Sequence, residues 1–265
     1  MVSDIKELES MVQAYTMALP RLYLIFTVLP MMNKSIMGGR LVKNGVILSL
    51  SLFIFPVTSE TVPLDLTQFD YFILLIKESV IGLMIGLFVT IPFWIAEGVG
   101  FFVDNQRGAT MASMLNPVLG DQSSPLGVLL SQLLNMFFIV SGSFLLMMTV
   151  VYQSYFYWPV GSILPLGYDG LDVLLLKQLD FLMYSIVVFA APLIIAMFIA
   201  EFTLALVSRF APQLNVFFMA MPIKSAVAIL ILILYIGILV TELDDVLGDM
   251  VNDLGLFLEA NKVSR

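Results

Sequence analysis

Six ionisable side chains within or beside otherwise apolar runs are the candidates for chemistry: Lys77, Glu78, Glu97, Glu201, Arg209 and Lys224. Charges at membrane depth are costly, so they pair with one another or face water. Two uses follow. They form a proton relay or line a polar channel, or they are structural, with Lys77 or Lys224 paired to a glutamate or placed at an interface. Glu201 lies closest to what a relay requires, an acid inside a clean apolar run. Other chemistry is scarce. With no histidine and no cysteine, zinc sites built on those residues, thiol nucleophiles and histidine-based triads are excluded. There is no Ser–Lys pair at a useful spacing, and no Walker A or dinucleotide glycine pattern. GYDGLD at residues 167–172 follows Pro165 and reads as turn chemistry. No enzyme, cofactor or metal centre is expected.

A second feature is polar without being strongly charged. Residues 104–127, DNQRGATMASMLNPVLGDQSSPLG, separate two apolar segments yet carry only Asp104, Arg107 and Asp121 as charges. A surface loop would be more charged, and a span would not hold Gln106, Asn116 and Gln122 beside two prolines. Irregular backbone in a hydrophobic protein persists where protein buries it or where it lines a water-filled cavity. The stretch is therefore expected to line or close a passage. Met111 and Met114, beside Gly108, Ala109 and Ala112, suit a deformable seal; plain packing is the other reading of each methionine.

Composition sets the class. Apolar residues make up 60% of 265 and charged residues 12%, with a mean hydropathy of +1.01. A soluble domain sits near half apolar and a quarter charged, so an integral membrane protein is expected. The net charge of -8 and the lack of a basic face argue against nucleic acid as a partner. The first ten residues, MVSDIKELES, lack the basic start of a cleavable signal.

Six apolar segments position these residues: 15–32, 45–57, 71–103, 128–152, 181–207 and 216–240. The first contains Pro20, Arg21 and Pro30 and should be kinked or protected. The second is short for a span if Pro56 ends it, unless Leu41 and Val42 extend it. The third exceeds a single span and is expected to bend or break near Pro92. The fourth is uninterrupted and uncharged, the cleanest of the six. Lys34, Arg40 and Lys43 fill the first connection without an acid, which points it to the cytoplasm. Alternation then puts both termini outside and residues 104–127 inside, if every segment crosses once.

Gly82 and Gly86 form a G-x-x-x-G pair, and Ala96 and Gly100 repeat the small-residue spacing, which lets helix backbones approach closely. After Thr241, apolar residues from Leu243 to Leu258 recur at helical spacing with six acids on the other face. This is an amphipathic helix. An acidic one avoids anionic lipid, so it packs on another protein or caps its own bundle.

Two motifs carry a resemblance: DNQRGATMASMLNPVLGDQSSPLG, and SRFAPQLNVFFMAMPIK at residues 208–224. With the order of segments, they resemble the SctT family of type III secretion export-apparatus membrane proteins (YscT, SpaR, HrcT), whose flagellar relative is FliR. The first motif looks like the injectisome branch. The resemblance implies an all-α fold of membrane-associated helical hairpins with broken helices, packed into a multi-subunit helical cone raised above the bacterial inner membrane toward the periplasm. It implies one export-apparatus domain over residues 1–265, with an SctR-like part (1–176), an SctS-like hairpin (177–240) and the acidic tail (241–265). Implied partners are SctR-like and SctS-like subunits, SctU-like and SctV-like subunits, membrane lipid and transient unfolded protein substrates.

By the same resemblance, Gln106, Arg107, Gly108, Ala109, Thr110, Met111, Ala112, Ser113, Met114, Leu115, Asn116 and Pro117 belong to a plug in the export channel, below a methionine gasket of the SctR-like subunits. Gly108, Gly120 and Gly127 are hinge candidates. The implied function is a non-enzymatic export gate. A secondary transporter using Glu97 and Glu201 and a purely structural scaffold are the alternatives; no convincing inverted repeat supports the former.

Overall fold

The computed structural model describes residues 2–32, 39–61, 67–109, 124–162, 171–210 and 216–260. The described residues form helices and no strand. This is the outcome that long apolar runs dictate when every backbone polar group must be satisfied within its own segment. The helices are α1 (Val2–Val28), α2 (Arg40–Thr61), α3 (Gln68–Gln106), α4 (Pro125–Val140), α5 (Ser143–Tyr157), α6 (Leu171–Phe210) and α7 (Val216–Ala260), with a 3-10 turn at Pro30–Met32. Helices α2, α3, α6 and α7 are each long and apolar enough to cross a membrane, and α4 with α5 adds a fifth if the broken pair is one span. The chain is a multi-pass membrane protein.

Several boundaries differ from those expected. Pro56 does not end the second segment: α2 starts at Arg40 and runs past that proline to Thr61, long enough to span. Pro92 does not break the third, which is one 39-residue helix with Pro92 buried inside it. Thr67 starts that helix as an N-cap, its hydroxyl accepting from the Asp70 N–H and donating to the Asp70 carboxylate. The fourth segment is the one that breaks. Gly142 takes φ +87°, a left-handed value, and ends the run at Ser141–Gly142 between α4 and α5. A side chain at Gly142 would be strained there. The sixth segment and the tail form one helix, α7.

Contacts divide the chain into two compact units. The first comprises Met1–Thr90, Ser141–Asp172 and Leu247–Arg265; the second comprises Ile91–Val140 and Val173–Val246.

In the first unit α1 packs against α2. Tyr15 donates to the Leu48 carbonyl (3.0 Å), receives a bond from Ser51 (2.9 Å), and meets Phe55 edge-on at 6.3 Å. Gly82 and Gly86 of α3 lie against the α1 backbone. A methyl group on Gly82 would run into the Arg21 carbonyl, and one on Gly86 would lie 3.1 Å from the Ile25 Cα. The small-residue spacing is used for close backbone approach, as the sequence indicates. The tail helix buries Leu247, Val251, Leu254 and Leu258 while Asp249, Asp253 and Glu259 stay exposed. Phe257 meets Trp158 edge-on at 6.3 Å, so this amphipathic face is covered by its own chain.

In the second unit Phe93 of α3 and Phe138 of α4 meet edge-on at 5.4 Å. Gly100 is so close to Gly127 that a Cβ on it would overlap the Gly127 backbone. Helices α6 and α7 contribute long exposed apolar faces, including Phe198, Phe202, Ile233 and Leu234.

Candidate functional site

The structure gathers charge in three places, each within one unit. The first is a cluster around Arg21, fully buried in α1. Its Nε donates to Glu78 Oε2 at 2.7 Å, Nη1 to Ser154 Oγ at 2.9 Å, and Nη2 to the Trp158 carbonyl at 3.0 Å. The guanidinium carbon lies 4.0 Å from the Tyr155 ring centroid, and Tyr155 donates its hydroxyl proton to the Ala18 carbonyl at 2.9 Å. Lys77 pairs with Glu78 Oε1 at 2.9 Å. Its ammonium also donates to the carbonyls of Pro159 (3.0 Å), Val160 (2.7 Å) and Ser162 (3.1 Å). One carboxylate thus faces two cations, and both cations bond backbone carbonyls of the turn after α5. An arginine suits this position because its rigid fork supplies several donors at once. Buried charge persists only when paired and hydrogen-bonded in this way.

The second place is the base of the polar stretch. Asp104, fully buried in the last turns of α3, pairs with Arg107 Nη2 at 2.6 Å. Its other oxygen accepts from Ser124 Oγ at 2.6 Å and from the Leu126 N–H at 3.0 Å. Ser124 is the N-cap of α4: its hydroxyl accepts from the Gly127 N–H at 2.9 Å and its carbonyl from the Val128 N–H. A carboxylate at the positive end of a helix is favoured by the exposed N–H groups and the helix dipole. The end of α3 and the start of α4 are therefore clasped, within four residues of the Gly100–Gly127 crossing on each helix. Gly108 takes φ +82° and closes α3, its N–H bonded to the Asn105 carbonyl. Arg107 Nε is buried and unbonded among the described residues.

The third is Lys224 of α7 with Glu201 of α6 at 3.2 Å, a pair whose glutamate is 47% exposed. Glu97 is exposed on α3, and Arg209 is exposed in the last turn of α6, where a cation suits the carbonyl end of a helix.

Of the twelve residues in the polar stretch singled out from the sequence, Gln106, Arg107, Gly108 and Ala109 are described. Thr110, Met111, Ala112, Ser113, Met114, Leu115, Asn116 and Pro117 lie outside the described residues, as does Gly120. Gly108 has the positive φ that only glycine adopts easily. Gly127 is different: it is buried in the first turn of α4, where a Cβ would lie 2.8 Å from the Glu97 carbonyl, so what that site uses is lack of volume. The sequence marks Arg21 only as a charge in an apolar segment, although it is the hub of the largest polar network among the described residues. Asn135 is a further buried polar residue, in α4, with neither amide atom bonded among the described residues. Among those residues no group of acids could hold a metal ion.

A family model described as "Bacterial export proteins, family 1" matches residues 12–250. Among known proteins, the chain is 47% identical to the Yop proteins translocation protein T of Yersinia pestis over 221 residues, 83% of this chain and 85% of that protein. It is 33% identical to the secretion system apparatus protein SsaT of Salmonella typhimurium over 209 residues, 78% of this chain and 80% of that one. A more distant likeness, 26% over 191 residues, is to the flagellar biosynthetic protein FliR of Bacillus subtilis, covering 72% of this chain and 73% of that protein.

Proposed function

Because the chain belongs to the bacterial export proteins of family 1, and is 47% identical to a translocation protein over 221 residues, we propose that it is a non-enzymatic component of a type III secretion export gate. In this reading residues 106–117 plug the channel at rest and yield to unfolded secreted proteins. The chain sits in the bacterial inner membrane with SctR-like and SctS-like subunits, and with SctU-like and SctV-like ones nearby, in a helical cone raised toward the periplasm. Residues 1–176 act as the SctR-like part and residues 177–240 as the SctS-like hairpin.

The observation that carries the plug is the clasp. Asp104, Ser124 and the Gly100–Gly127 crossing hold both ends of the intervening stretch at one point. A channel plug needs that kind of base, with its two ends fixed to rigid helices. The ends are apolar helices that suit a membrane complex, and the long exposed faces of α6 and α7 suit neighbouring subunits or lipid. Energy for export then has to come from other components, since this sequence has no nucleotide-binding motif.

A cysteine at Met111, in the assembled complex with a secreted protein stalled in transit, tests the reading. Disulfide cross-linking between that cysteine and cysteines along the substrate is expected. Its absence, while control positions elsewhere in the channel cross-link, would remove the loop from the path.

A further inference from the structure

A groove of about 470 Å³ opens on the first unit between α1, α2 and α3. Its size falls within the roughly 300–1,000 Å³ of small-molecule sites. Leu19 and Leu24 from α1 and Leu48 from α2 make it apolar, while Tyr23, Asn44 and Ser79 supply its few polar groups. Ser79 already donates to the Leu75 carbonyl. The groove is thus greasy along its length and polar at scattered points.

Charge at one end decides what it fits. Lys43, one residue before Asn44, donates to Thr27 Oγ1 at 3.0 Å and lies 5.4 Å from the centroid of the Tyr23 ring. One N–H of its ammonium is so used, and the other two have no partner among the described residues. Arg40 lies one turn earlier on α2, exposed and with no ion-pair partner among the described residues. No acid occurs anywhere in residues 10–59, so neither α2 up to Ser59 nor α1 from Ser10 onward supplies one to this end. The chain is a membrane protein, and α2 is one of its candidate spans, with these two cations in its first turn.

We propose that the groove binds one acyl chain of an anionic phospholipid, with Arg40 and Lys43 on the phosphate. Bilayer lipid already surrounds a tail with groups as apolar as leucine, so the tail alone gives no preference over bulk lipid. Preference comes from the head group, and basic pockets between membrane helices are where anionic head groups are held. The Tyr23 ring and Thr27 hydroxyl position the ammonium at the rim. The acidic tail helix lies elsewhere in sequence and contributes no residue to the groove.

The test titrates the purified full chain in detergent with dioleoylphosphatidylglycerol and, separately, dioleoylphosphatidylcholine, read by native mass spectrometry. One phosphatidylglycerol per chain is expected, held about tenfold or more tighter than phosphatidylcholine. Arg40→Gln with Lys43→Gln should erase that preference, Leu24→Trp should fill the groove and remove the bound lipid, and Lys177→Gln should change nothing. Equal retention of the two lipids, or a preference that survives neutralising Arg40 and Lys43, would overturn the proposal. An arm without variants guards against misfolding: the unaltered chain in phosphatidylglycerol vesicles carrying a diazirine on the acyl tail. Labelling should concentrate on residues 19–24 and 44–48 above the level at Ile233 and Leu234. Uniform labelling contradicts the proposal, and so does loss of groove labelling in the assembled complex, which would assign the groove to a protein neighbour.

Discussion

Helix α3 carries two acid–base clusters of similar composition, one in each unit. At Lys77 and Glu78 each nitrogen of Arg21 and of Lys77 bonds a carboxylate, a hydroxyl or a backbone carbonyl, and the Lys77 and Glu78 side chains are only 4% and 0% exposed. At Asp104 the acid is equally buried, but its cation, Arg107, is 18% exposed and keeps an unbonded Nε. The first cluster ties three helices and a turn into one body. The second ties the end of α3 to the start of α4. Buried charge among the described residues therefore serves packing in one unit, and in the other it joins the end of α3 to the start of α4.

The sharpest break in that comparison should come from Arg21→Met. It leaves Glu78 with one cation instead of two and frees Ser154 Oγ and the Trp158 carbonyl, and removing one partner of a buried pair costs about 3–5 kcal/mol. The purified chain should lose most of its folded fraction in denaturant titrations; retention of wild-type stability would mean that the cluster is not structural.

Asp104→Ala should come next. It removes charge-assisted bonds to Ser124, Leu126 and Arg107, at about 1.5–3 kcal/mol for such a bond. The effect should localise: hydrogen exchange should rise at the first turn of α4 while amides around Ser154 keep their protection. Exchange that rises equally in both units would dissolve the distinction drawn here.

Gly100→Ala should cost about 1–3 kcal/mol, because its methyl meets the Gly127 backbone, which cannot yield as a flexible side chain would. Gly237→Ala, with nothing within 4 Å, is its control and should be neutral or stabilising by about 0.4–1 kcal/mol in thermal unfolding. The smallest effect belongs to Lys224→Gln. Its partner Glu201 is nearly half exposed, and such pairs contribute about 0–1 kcal/mol. A large loss of transport on Glu201→Gln with assembly intact would instead favour a transporter.

The all-α membrane class and the close face at Gly82 and Gly86 were legible because composition and local spacing encode them. The amphipathic tail was legible for the same reason. The clusters were less so. Arg21 meets Glu78 across 57 positions and Ser154 across 133, and three of Lys77's acceptors are backbone carbonyls, which no side-chain pattern announces. Asp104 could be read as polar, but its bond to Ser124 depends on where α4 begins. The prolines misled in a consistent direction: Pro56, exposed, and Pro92, buried, both lie within continuous helices, whereas the break came at Ser141–Gly142, where a left-handed residue was needed. That signal was present in the sequence and was outweighed by the apolar run on either side.

The central claim concerns residues 106–117. The most direct measurement deletes residues 107–116 in the assembled export complex, joining Gln106 to Pro117, and records ion flux across the membrane with secretion switched off. A plug predicts a marked rise in leak with the complex still assembled. Unchanged leak in a complex that still assembles and secretes would contradict it, leaving the stretch as packing between subunits.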